Sequence, residues 1–114
     1  MDELIKEFAK NSGVDPFVAR KAMAIIVSFI SQEAPQAEVA ALFARLPGAR
    51  ELAAEHGPVS GGLLGVFNDL VAVGLGMGEL QALANAFLGH ARTQAGDAQV
   101  NAVVRGIPGL AQFI

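Results

Sequence analysis

The chain of 114 residues contains no cysteine, and this absence excludes several kinds of chemistry. Without thiols it can form no disulfide bond, no thiolate metal site and no cysteine nucleophile. Charged residues are also scarce, at 17% of the chain, whereas hydrophobic residues reach 53%. An average soluble domain has about a quarter of its residues charged. The composition is that of a folded chain rather than a disordered one, and its length suits one domain, 1–114, with a buried core.

Basic clusters and long apolar runs are missing as well. The net charge is −3 and Lys and Arg are scattered, which argues against a nucleic-acid surface and against electrostatic docking on anionic lipid. Stretches without Asp, Glu, Lys or Arg, such as 58–68 and 80–91, are shorter than the roughly 18 residues that a transmembrane helix needs. Because the first residues also lack the features of a signal peptide, we expect a cytoplasmic protein of bacterial type.

Alternation with period two is nowhere long enough to indicate a strand, whereas apolar residues recur at helical spacing. We therefore predict an all-α fold, a compact multi-helix bundle. The stretch 17–31 is apolar nearly all round, which is typical of a central core helix. Ile26, Phe29 and Phe87 are expected to be almost fully buried. The predicted helices cover 2–11, 17–31, 37–45, 50–55, 63–73, 79–93 and 98–105, with a last turn at 109–114.

A pattern at 37–48 recurs 61 residues later, at 98–109. In both stretches Ala, Val, Ala, Pro and Gly stand in register, and each reads as a short amphipathic helix that stops before Pro-Gly. Gly13-Val14 and Gly74-Leu75 keep the same spacing. These matches predict two degenerate half-repeats, about 1–57 and 58–114. Coincidence in a chain rich in Ala and Gly is the alternative.

The glycine-rich stretches do not carry a nucleotide-binding motif. Gly57 to Gly65 lacks the Lys-Ser/Thr of a phosphate-binding loop, and Gly74 to Gly78 follows no predicted strand. We interpret the first stretch as a linker and the second as a helix break. No cofactor is predicted.

The same glycines nevertheless carry a resemblance to a known family. Together with Ile107-Pro108-Gly109, the pattern resembles the VcgC/VcgE-like proteins, small helical bacterial proteins of unknown function. The resemblance is clearest over 60–114 and implies a helical fold without an activity or catalytic residues. Its residues are Gly61, Gly62, Gly65, Phe67, Leu70, Gly74, Leu75, Met77 and Phe87.

Two histidines, His56 and His90, are the only side chains of ordinary pKa near neutrality. Glu55 and His56 are adjacent and would not share a helix face. No spacing of ligands indicates a metal site, and no serine stands in a nucleophile motif. Asn68-Asp69 lies in an otherwise apolar helix, as an interface contact or as a solvated stripe. We predict no catalytic, cofactor-binding or metal-binding residue.

Charge and glycine are unevenly divided between the two halves. Residues 1–57 hold 14 charged residues and three glycines, whereas residues 58–114 hold five and ten. The second half therefore needs a cover, supplied by the first half, a second chain or a ligand. We expect a homodimer, because a twofold axis lets one apolar patch cover its own copy. The predicted interface residues are Leu63, Leu64, Val66, Phe67 and Leu70.

Three functions from different classes remain open. The favoured one is a non-enzymatic interaction or self-association module. The second is a protein that binds an apolar small molecule or a lipid in a groove between the two half-units. The third is an enzyme whose site follows no recognised pattern.

Overall fold

Seven α-helices and one 3₁₀ turn form the computed structural model, which describes residues 1–112. Over that range all regular elements are helical, so the predicted all-α class is confirmed. The final residues of the predicted last turn, 113 and 114, lie outside the described residues. The elements are α1 (Asp2–Ser12), α2 (Pro16–Glu33), α3 (Gln36–Ala44), α4 (Ala49–His56), α5 (Gly62–Ala72), α6 (Met77–Ala95), α7 (Asp97–Arg105) and the turn Leu110–Gln112.

Local sequence explains how α1 gives way to α2. Gly13 adopts a left-handed conformation with φ of 69°, which ends α1 at little steric cost. Asp15 then caps α2, since its side chain accepts a hydrogen bond of 2.8 Å from the Phe17 N–H. Pro16 occupies the first turn, where no N–H is required.

Helix α2 is the centre of the packing and contacts α1, α4 and α5. Ile25 and Phe29 are buried, at 1% and 4% exposure. The expectation for Ile26 is wrong, because this side chain is only partly buried. It faces a cavity rather than close-packed atoms. Phe17 at the start of the helix is 64% exposed, with the Lys21 ammonium 4.8 Å from its ring centre.

Contacts between the two halves of the chain are extensive. Helix α1 packs on α6, α5 packs on α2, and α3 packs on α7. Gln99 Nε2 donates a hydrogen bond of 2.8 Å to Glu38 Oε2, joining α7 to α3. Nearby, a Cβ atom at Gly106 would lie 2.4 Å from Pro35 Cδ, so only glycine fits without a shift. The two halves share one core.

Helices α1 and α4 are also tied to α2 by charged side chains. Arg20 donates hydrogen bonds to Glu55 Oε1 at 3.0 Å and to Asp2 Oδ1 at 3.3 Å. The hydrogen bonds from Arg20 lower the pKa of Glu55. Because all three side chains are substantially solvent-exposed, the network positions α1 and α4 more than it stabilises the fold.

Among the helices of residues 1–112, none is by itself long and apolar enough to span a membrane. Helices α5 and α6 meet this criterion only as a pair, and they are bent by 114° at the break between them.

Candidate functional site

A cavity of about 80 Å³ lies between α2 of the first half and α5 and α6 of the second. Its walls are formed by the inward faces of these three helices, with one residue from the 3₁₀ turn. The lining residues are Ile26, Phe29, Ile30, Leu63, Val66, Phe67, Leu70, Leu80, Gln81, Ala84, Phe87, Leu88 and Leu110.

The lining is almost wholly apolar, and among the residues from 1 to 112 that form it, Gln81 is the one with a polar side chain. None of the described lining residues carries a titratable side chain that could act as a general acid or base. A water molecule in such a space would find too few hydrogen-bond partners. The arrangement is suited to holding an apolar group and to excluding water.

The depth of the cavity differs from its rim. Val66, Leu70 and Phe87 are 2–3% exposed and form the inner wall. Ile26 and Leu63 are partly exposed and stand where the cavity opens towards solvent. A ligand can therefore place one end among the inner residues while its other end remains outside.

The segment before α5 is fixed to α2 by side-chain hydrogen bonds. The Ser28 hydroxyl donates to the carbonyl of Gly57. The Gln32 amide accepts a 2.9 Å bond from the Val59 N–H and donates one to the Val59 carbonyl, as a neighbouring strand would. The Val59 side chain is 1% exposed. These contacts set the position from which α5 begins.

The five residues of the predicted interface do not form one exposed stripe. Val66 and Leu70 are buried within the chain, and Leu63 and Phe67 are partly buried. All four line the cavity, whereas Leu64 points away from it and is 73% exposed. The sequence predicted an interface on α5, and the structure places four of these five side chains along the cavity.

The two histidines lie apart from the cavity. His56 ends α4, and its Nε2 is 3.4 Å from Asp69 Oδ2 on α5. His90 lies in a separate groove between α1 and α6. Burial lowers the pKa of His90, the N-terminal ammonium lowers it further, and Glu7 opposes both effects.

Across residues 1–112, no group of three or more His, Asp or Glu side chains could hold a metal ion.

The sequence interpretation missed the contribution of α2 and α6 to the cavity. Ile26 was expected in a closed core, and Leu80 was taken as one of the apolar residues of the helix at 79–93. Helical spacing identifies an inward face, but a cavity depends on how closely three helices approach. The distance between packed helices cannot be inferred from a single sequence.

Comparisons of the chain with protein-family models, with curated proteins and with solved structures find no match in any of the three. The resemblance to the VcgC/VcgE-like proteins therefore stays a prediction.

Proposed function

We propose that this chain is a cytoplasmic, non-enzymatic protein that binds an apolar ligand in the cavity between α2, α5 and α6. The observation that supports this proposal is the apolar lining of the cavity, where Gln81 is the one polar side chain among the described residues. Pockets for polar substrates place several hydrogen-bonding groups around the ligand. Here binding would come from removing apolar surface from water. This was the second of the three functions that the sequence left open.

The size of the cavity limits the ligand to a narrow group. An engineered apolar cavity of about 150 Å³ admits benzene. The space here is about half as large, at roughly 80 Å³, and is open at the rim. An unbranched alkyl chain fits these limits, because its end can enter while the remainder lies along the partly exposed side chains. We propose an alkyl or acyl chain as the ligand class.

Binding of 1-decanol to the purified, delipidated protein tests this proposal. We expect saturable binding by calorimetry with a negative heat-capacity change, and a rise in the thermal unfolding temperature. Ala84→Leu adds carbon atoms inside the cavity and should weaken binding by about tenfold or more. Ala41→Leu makes the same change on the exposed face of α3 and is the matched control.

Two results would contradict the ligand-binding proposal. One is the absence of saturable binding of 1-decanol to the wild-type chain. The other is equal binding by the Ala84→Leu and Ala41→Leu variants, which would place the alcohol elsewhere. Overpacking costs about 1–3 kcal/mol in general, so thermal unfolding must first establish that Ala84→Leu is folded.

Self-association is a second candidate, favoured by two exposed side chains on α5. Leu64 is 73% exposed and Val71 is 58% exposed. Seven residues separate them, so they lie on one helix face two turns apart. Such a pair can form the centre of a small twofold contact.

Light scattering at micromolar concentration tests the homodimer. We expect about twice the mass of one chain for the wild type. Leu64→Glu should give the mass of one chain without loss of helical content, because this side chain already faces solvent. A wild-type chain that remains monomeric over a wide concentration range would exclude this second candidate.

We further infer that the fold consists of two half-repeats related by 61 residues. Helices α2 and α6 begin 61 residues apart, and so do α3 and α7. The packing of α1 on α6 also corresponds to the packing of α5 on α2. Glu38 and Gln99, also 61 residues apart, contact each other as residues near a twofold axis would. The turns before both Pro-Gly steps have matching hydrogen bonds, Leu46 N–H to Phe43 and Ile107 N–H to Val104.

A further inference from the structure

Helix α5 differs from the other walls of the cavity in how it is attached. Its main packing partner is α2, and its buried residues are only Gly65, Val66 and Leu70. Across the cavity it faces α6, and side chains of both helices line the space between them. The wall that α5 provides is therefore the least supported of the three.

Both ends of α5 carry glycines in conformations that other residues rarely adopt. Gly61 caps the helix and Gly62 begins it, with φ of 87° and 62°, and Gly74 follows the helix with φ of 106°. The segment immediately before this glycine pair is fixed, since Gln32 holds the backbone of Val59. A fixed segment joined to a helix through two glycines is a suitable hinge.

One glycine within α5 keeps this hinge compact. A Cβ atom at Gly65 would lie 1.6 Å from the Ser60 carbonyl oxygen. The first turn of α5 therefore folds directly onto the segment between Val59 and Gly61. The contact defines a single resting position for the helix without adding buried side chains.

A side-chain contact joins the middle of α5 to the end of α4. Asp69 Oδ2 lies 3.4 Å from His56 Nε2, and both side chains are partly exposed. The two groups form an ion pair when His56 is protonated. Contacts of this type are weak, so the pair can hold a helix in place and still release it.

We propose that α5 is a lid over the apolar cavity, which swings about Gly61-Gly62 and Gly74 and is latched by His56 and Asp69. The inference rests on the proposed function in one respect, that the lid admits an apolar ligand. The motion itself does not depend on that function. The rim of the cavity is open, whereas Val66, Leu70 and Phe87 enclose its inner part. Because α5 is the wall with hinges at both ends, its movement would widen the path to these inner residues.

The absence of cysteine allows a direct test with single thiols. Val66→Cys places a thiol on the buried face of α5, and Val100→Cys places one in α7 with matched burial, 3% and 2% exposure in the parent residues. Under native conditions we expect an aromatic disulfide reagent to label Cys at 66 about tenfold faster or more than at 100. The fast reaction should be nearly independent of low denaturant concentrations, because it needs only movement of the lid.

The latch is tested in the same assay. Asp69→Asn should increase the labelling rate at position 66 by about two- to fivefold and leave the rate at position 100 unchanged. Asp97→Asn, which removes an exposed carboxylate paired with Arg92 away from α5, is the charge-matched control. Amide hydrogen exchange of the unsubstituted chain provides a measurement that needs no thiol, and we expect α5 to exchange faster than α6.

Equal labelling rates at positions 66 and 100, with the same dependence on denaturant, would overturn the lid, because both thiols would then react only through global unfolding. Equal exchange in α5 and α6 would overturn it too. Saturating 1-decanol should slow labelling at position 66. Fast labelling at position 66 that 1-decanol does not affect would support the lid and contradict the proposed ligand. Saturable binding of 1-decanol with equal labelling rates at positions 66 and 100 would support the ligand and contradict the lid.

Discussion

The two proposed half-repeats differ in what covers their central helices, α2 and α6. In the first half, α2 is covered by α4, an eight-residue helix that also carries Glu55 of the Arg20 network. Under the proposed 61-residue correspondence, the position of α4 is taken by the turn Leu110–Gln112. Leu110 of that turn lines the cavity. Among residues 1–112, the first proposed half-repeat therefore has a helix at this place and the second has a turn, which lies beside the apolar cavity.

The largest effects should come from the core that the two halves share. Phe29 and Phe87 are 4% and 2% exposed, on α2 and α6 respectively. Phe29→Ala and Phe87→Ala should each lower the free energy of unfolding by about 3–5 kcal/mol, measured by urea titration. Both variants should retain a single cooperative transition. A two-step transition in Phe87→Ala alone would mean that the second half unfolds independently.

Neighbouring isoleucines on α2 separate close-packed core from cavity wall. Ile25 is 1% exposed, whereas Ile26 is partly exposed and lines the cavity. Ile25→Ala should cost about 2–5 kcal/mol of unfolding free energy, and Ile26→Ala should cost less, because part of its surface is already hydrated. An equal or larger loss for Ile26→Ala would show that the cavity side is packed as tightly as the core.

The two Pro-Gly steps should respond alike if the half-repeats are equivalent. Pro47→Ala and Pro108→Ala should each lower the free energy of unfolding by about 0.4–1 kcal/mol, because the unfolded chain gains conformational freedom. Thermal unfolding of both variants beside the wild type measures the two values. A difference between them of more than about 1 kcal/mol would break the correspondence.

The smallest expected effect concerns His90, which corresponds to Phe29 under the proposed 61-residue relation. Burial lowers the pKa of His90, so the folded state binds a proton less readily than the unfolded state. The contribution of neutral His90 to the free energy of unfolding is fully present above the unfolded pKa of about 6.5. It is lost as the pH falls towards the lower pKa of the folded state. Between pH 8 and pH 5, the wild type should lose more stability than His90→Gln. Equal losses in thermal scans would contradict this assignment.

Much of the fold follows from local signals. Asp15-Pro16 and Gly13 mark helix ends by capping and left-handed geometry, and these positions agree with the structure. The burial of Phe29 and Phe87 follows from helical periodicity. Local signals could not predict the partial exposure of Ile26, which depends on the distance between α2, α5 and α6.

The candidate site was less accessible to the sequence. The apolar residues from Leu63 to Leu70 led to the prediction of an interface, whereas most of them line the cavity. Whether these side chains face inward depends on how α5 reaches α2, and the segment before α5 is held to α2 by hydrogen bonds between Gln32 and Val59. A glutamine in an apolar helix gives no indication of a partner 27 residues away.

The close approach of Gly106 to Pro35 has a consequence for sequence variation. A Cβ atom at position 106 would meet the proline ring at 2.4 Å, so the sizes of these two residues are linked across α3 and α7. In diverged homologues we expect the two positions to co-vary, with any side chain at 106 accompanied by a smaller residue at 35. Proline at 35 beside glycine at 106 would then mark chains in which the two halves dock at this short distance.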